Sequence, residues 1–122
     1  MRIEKIKELL EEKKAMDVIA YNLKNNDYFV DYVIIATTMA NKHADALLDH
    51  LKKNLRSKEE FLGIDKSDDW IVIDLGDIII HLMSEEYRAK YQMDSLLKEI
   101  NPIKNGGEGG IRTRGTQEDT TP

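Results

Sequence analysis

The sequence predicts a single α/β domain, a mixed β-sheet with flanking helices. Three observations point that way. Two β-branched runs flank a Leu75-Gly76 step within residues 70–83, a near-continuous apolar run fills 32–38, and stretches 3–14 and 41–58 carry apolar residues at helical spacing. The expected order is α-β-β-α-β-β-β-α.

In the first helix Ile3, Ile6, Leu9 and Leu10 form one stripe, with Lys and Glu elsewhere. Residues 17–23 are short and β-rich, a first strand, and 24–27 (Lys-Asn-Asn-Asp) form a polar turn. The run 32–38 suits a strand covered on both faces. Asn41 is placed as the N-cap of the second helix, whose buried stripe is Ala44, Leu47, Leu48, Leu51 and Leu55. A short strand is expected over 61–64. Ser84-Glu85-Glu86 combines a cap with first-turn acids, opening one or two helices over 85–100.

The 70–83 segment reads as a hairpin with Leu75 and Gly76 as its two loop residues. Asp74 then faces Asp77, Ile73 pairs with Ile78, and Trp70 pairs with His81. Strand alternation gives one aliphatic face (Ile71, Ile73, Ile78, Ile80) and a second with an apolar middle and polar ends (Trp70, Val72, Asp74, Asp77, Ile79, His81).

The chain has 122 residues, enough for one core. Residues 1–100 form the expected domain. Residues 101–122, rich in Gly with Thr and Pro, hold only Ile103 and Ile111 as aliphatic anchors and are expected to be disordered. There is no cysteine, hence no disulfide and no thiolate site. No stretch has the length of a signal peptide's core or a membrane span, so the expected location is cytoplasmic. The net charge of −5 lies within the first hundred residues. Such a body is repelled by nucleic acid and suits a basic protein partner, with little direct nucleic-acid binding.

A spaced set of residues then resembles a known family. Asp31-Tyr32, Ala36-Thr37, His43, Trp70, Asp74-Leu75-Gly76-Asp77, His81, Arg88 and Tyr91 are similar to the ribosomal silencing factor (Iojap-like, RsfS) pattern, extended by Lys14-Ala15, Asp17, Met93-Asp94 and Leu97. The resemblance covers residues 6–97. It implies a nucleotidyltransferase-like fold without transferase activity, in a translational repressor that binds the large ribosomal subunit through its basic fourteenth protein and blocks joining of the small subunit. Two departures stand out. Thr38-Met39-Ala40 occupies the place of the family's usual glycine and serine, which alters the loop before the second helix. Leu97 replaces a tryptophan that often closes the last motif.

The expected partner-binding residues are Trp70, Asp74, Asp77 and His81, with Tyr32, Arg88 and Tyr91. Each has a plainer reading beside it. The aspartates can hydrogen-bond the turn backbone, and Trp70 and His81 can be core. His43 suits a cap-adjacent role, and Arg88 can pair with Glu85 or Asp94 on the surface. Asp77 and His81 lie roughly 13 Å apart along the strand, too far to share one metal ion. No cofactor is implied. No P-loop, G-x-S-x-G or G-x-G-x-x-G opening a helix is present. The alternative reading, a degenerate nucleotidyltransferase-like enzyme, lacks the Gly-Ser step and aspartates two apart. Homodimerisation through the hairpin face is a further competing use of that surface.

Overall fold

The computed structural model describes residues 2–24 and 30–95. In chain order these form α1 (Arg2–Glu12), β1 (Met16–Asn22), β2 (Tyr32–Thr38), α2 (Asn41–Leu55), β3 (Gly63–Ser67), β4 (Trp70–Asp74), β5 (Ile78–Ser84) and α3 (Glu85–Lys90). The five strands make one sheet in the order β1-β2-β5-β4-β3. Only β2 and β5 run parallel; the other three pairings are antiparallel. The mixed sheet with flanking helices is as the sequence predicts.

The central strands are β2 and β5: β2 is buried from Val33 to Thr38, as a doubly covered strand is, while β5 is apolar on both faces except at His81 and Ser84. One face of the sheet (Ile34, Ala36, Ile71, Ile73, Ile78, Ile80, Leu82) packs under α1 and α2. The α1 residues Ile6, Leu9 and Leu10 and the α2 stripe Ala44, Leu47, Leu48, Leu51 and Leu55 are all buried there. At about 1.5–3 kcal/mol per buried aliphatic side chain, this layer is the main source of stability. A smaller cluster (Tyr21, Leu23, Val30, Val33, Ile35, Met83) lies on the opposite face, with Trp70, Ile79, Tyr87 and Met93 against it.

Four local expectations are corrected. Asn41 is the first helical residue of α2 rather than its cap: Ala40 takes the cap position without a side-chain bond. The Asn41 Oδ1 instead accepts from the Asp69 amide at 2.7 Å, fastening the helix start to the β3–β4 turn. The helix ends at Leu55, short of residue 58. The third strand begins at Gly63 and runs to Ser67, later than expected, because an edge strand with one exposed side needs no apolar run.

The hairpin register is the fourth. Gly76 has φ +98°, the positive value glycine supplies cheaply, and the tip is Gly76-Asp77. The Leu75 amide donates to the Ile78 carbonyl at 2.9 Å. The pairs are therefore Asp74 with Ile79, Ile73 with Ile80, Val72 with His81 and Trp70 with Met83. The slip is two residues, so every strand side chain keeps its expected face. Ile71, Ile73, Ile78 and Ile80 are buried as a set.

Ser84 caps α3 as expected, its Oγ accepting from the Tyr87 amide at 3.1 Å. That helix stops at Lys90, followed by Gln92 at φ +49°. Leu97 and the tail 101–122 lie outside the described residues.

A candidate protein-docking face

On the second face α3 packs over β2 and the Met83 end of β5; among the described residues it leaves Ile79 and His81 of β5 part-exposed beside β3 and β4. Antiparallel partners share a face, so Gly63, Asp65 and Ser67 of β3 stand beside Asp74, Val72 and Trp70 of β4. Next come Ile79, His81 and Met83 of β5. Trp70, Val72, Asp74, Ile79 and His81 are part-buried and Asp65 is exposed. The surface is thus an apolar strip, Val72 and Ile79, with both carboxylates, Asp65 and Asp74, on its β3 side and His81 on the other. Among the described strand residues of this part of the face, the acidic groups Asp65 and Asp74 meet no basic one, because Lys66 points to the other side and pairs with Asp45 at 2.8 Å.

Trp70 is the organiser. Its indole Nε1–H donates to His81 Nδ1 at 3.0 Å. Tyr91 lies at a 5.2 Å ring separation from it, and Tyr87 meets it edge-on at 6.5 Å. The two tyrosines sit four apart, the spacing that stacks side chains along a helix, with ring centroids 5.8 Å apart. Lys90 Nζ lies 5.7 and 5.6 Å from their centroids, within cation–π range. Tyr91 is 47% exposed, so this cluster has an open aromatic end. Burial pushes the His81 imidazole down to about 4, so the ring is uncharged at neutral pH.

Of the seven expected site residues, Trp70, His81, Tyr91 and Asp74 lie along this face. Asp74 also takes the plainer role, accepting from the Gly76 amide at 2.8 Å. Asp77 is not on it: as a tip residue it leaves the strand alternation and turns to the helical side. There Arg2 meets it fork-on, Nη1 to Oδ2 at 2.6 Å and Nη2 to Oδ1 at 2.9 Å, while the same guanidinium holds Glu59. The Arg2 bonds hold the Asp77 carboxyl below its ordinary range. Tyr32 lies beside this group, lining a cleft with Arg2, Lys24 and Asp77.

Arg88 turns inward, away from Tyr91. Its Nε and Nη2 fork onto Asp94 at 2.7 and 2.9 Å, and Nη1 reaches the Asp17 carbonyl at 2.7 Å and Thr37 Oγ1 at 2.9 Å. Tyr21 Oη donates to Asp94 Oδ2, the oxygen that Arg88 Nη2 also meets. The Arg88 bonds hold the Asp94 carboxyl down at about 2, and burial is the main reason the Tyr21 phenol is raised. The pairing with Asp94 is as the plainer reading had it, but buried rather than on the surface. His43 is cap-adjacent: Nδ1 accepts from the Met39 amide at 3.0 Å and Nε2 meets the Lys13 carbonyl at 2.7 Å. Sequence reading missed Asp65, whose place on the face depends on β3 register, and Lys90. It also missed the Tyr21–Asp94 contact, which spans 73 residues. Among the described residues no group of three or more His, Asp or Glu is placed to hold a metal ion, and no helix is long and apolar enough to cross a membrane.

Residues 2–121 match the family described as ribosomal silencing factor during starvation. A ribosomal silencing factor of Haemophilus influenzae is 30% identical over 97 residues, covering 77% of this chain and 95% of its own. One from Halalkalibacterium halodurans is 29% identical, covering 80% and 86%. A mouse protein named for mitochondrial assembly of the ribosomal large subunit is 27% identical over 77% of this chain and 44% of its own length. A crystal structure from Chromobacterium violaceum superposes with a TM-score of 0.71 at 26% identity, covering 79% of this chain and 83% of that one. The chain belongs to the ribosomal silencing factor family.

Proposed function

We propose that this chain is a non-enzymatic translational repressor acting in the cytoplasm. It docks on the large ribosomal subunit through that subunit's basic fourteenth protein and sterically blocks joining of the small subunit. The family gives the ribosome-associated silencing role; the subunit protein and the blocking step are our reading. The observation that carries it is the uncovered part of the sheet: a part-buried Trp70 with Val72 and Ile79, flanked by Asp65 and Asp74. A tryptophan at the rim of an apolar strip is the type of anchor on which interface energy concentrates, and the acids select a basic partner over phosphate.

Co-sedimentation with purified large subunits tests the docking. The wild type pellets with them, and Trp70→Ala or Asp74→Lys releases it to the supernatant. A wild type that stays in the supernatant at low magnesium and micromolar concentration overturns the proposal. The blocking step is read separately: adding the chain before small subunits lowers the yield of joined ribosomes, and an unchanged yield removes that step.

A further inference from the structure

The docking face carries one polar group whose chemistry is fixed by its neighbour. His81 sits in the row between Val72 on β4 and Ile35 on β2. The indole of Trp70 can only donate, so at 3.0 Å it commits His81 Nδ1 to accepting. The imidazole proton must then sit on Nε2. Among the described residues no acceptor meets Nε2. The charged and titratable groups on this face of the surrounding elements are Asp65 on β3, Asp74 on β4, and Tyr87, Tyr91 and Lys90 at α3; Lys66 pairs with Asp45 on the other side, Arg88 turns inward to Asp94, and Glu85 and Glu86 are exposed at the start of α3. None of them bonds the ring, and Lys90 is taken up over the two tyrosines.

We propose that His81 is the specificity-determining donor of this face: locked by Trp70 in the Nε2–H form, it offers one uncharged N–H to a main-chain carbonyl of a basic protein partner. The proposal rests on the docking reading above and adds the chemistry of its central contact. An uncharged acceptor is favoured because Asp65 and Asp74 stand on the β3 side of the same strip, and a carboxylate or phosphate oxygen brought there would meet like charge. A carbonyl carries no such penalty, and lysines or arginines beside it would meet the two acids. Unmet after docking, a buried Nε2–H would cost its full desolvation, so the contact discriminates against partners without an acceptor at that point.

Two measurements test it. In the free protein, long-range proton–nitrogen spectra of the imidazole should show the Nε2–H tautomer with no titration between about pH 8 and 5.5. An Nδ1–H tautomer, or titration at an ordinary histidine value, overturns the lock. In co-sedimentation with large ribosomal subunits, His81→Phe should bind about tenfold more weakly while melting as a folded protein. His81→Gln, whose amide nitrogen can stand in for Nε2, should stay close to wild type. His81→Phe binding as well as wild type overturns the proposal and leaves the docking reading standing. Wild type that does not sediment at all defeats the docking reading and the partner contact together, while the spectra still decide the lock. Binding of the wild type to protein-free ribosomal RNA, lost in His81→Phe, would assign the acceptor to RNA and also overturn it.

Discussion

Arg88 makes four hydrogen bonds from one guanidinium, two to Asp94 and one each to Asp17 and Thr37. They join β1, β2 and the turn after α3, which also carries Tyr91 to the Trp70 cluster. Replacing Arg88 with Ala leaves Asp94 and a strand carbonyl short of donors, so a loss of about 2–3 kcal/mol in urea unfolding is expected. Arg88→Lys should recover only part of it, since an ammonium cannot reproduce the fork. From the sequence, an arginine six residues before an aspartate reads as a surface pair. Its burial depends on Asp17 and Thr37, 71 and 51 residues away, which no local pattern reports. His81 gives the residue-scale pH prediction. Its folded value is depressed, so its contribution is full above an unfolded value of about 6.5 and is lost as pH falls through about 4. Unfolding free energy should drop by about 2–3 kcal/mol across that window, and His81→Phe should flatten this part of the profile.

At the scale of the element, helical and strand periods made α1, α2, β2, β4 and β5 legible, because each buries one consistent stripe or both faces, while the edge strand β1, buried only at Tyr21, was legible from its β-rich composition. What escaped was set by partners rather than period. β3 is recognisable only through its pairing with β4, and the hairpin register depended on which residue takes the positive φ. A wrong loop frame still preserved both faces, since a two-residue slip does not change the side on which a side chain points. Gly76→Ala should cost about 1–2 kcal/mol, mainly from the backbone at φ +98°, because the nearest atom to an added Cβ is the movable end of Leu62 at 3.3 Å. Leu51→Ala, in the centre of the α2 stripe, should cost about 2–5 kcal/mol through the cavity it leaves. Thermal or urea melts of the two variants check both figures.

For the whole molecule, the fold separates two surfaces. The helical side is closed, with Arg2 fastening α1 to the hairpin tip and to Glu59. The other side is open over β3 and β4, and the acids there have no basic strand neighbour among the described residues. The candidate site was legible in part. Trp70, Asp74, His81 and Tyr91 share a face because alternation and the α3 start were readable. Asp77 was grouped with them by the expected hairpin frame, and Tyr32 and Arg88 by the family resemblance; the turn geometry, the packing of Tyr32 on the helical side and the buried clamp place them elsewhere. The most direct test of the account is co-sedimentation of wild type and Trp70→Ala with purified large ribosomal subunits. The wild type is expected to travel with the large subunit and folded Trp70→Ala to stay behind, with the association weakening as salt is raised. Equal binding by both proteins, or none by the wild type, would contradict it.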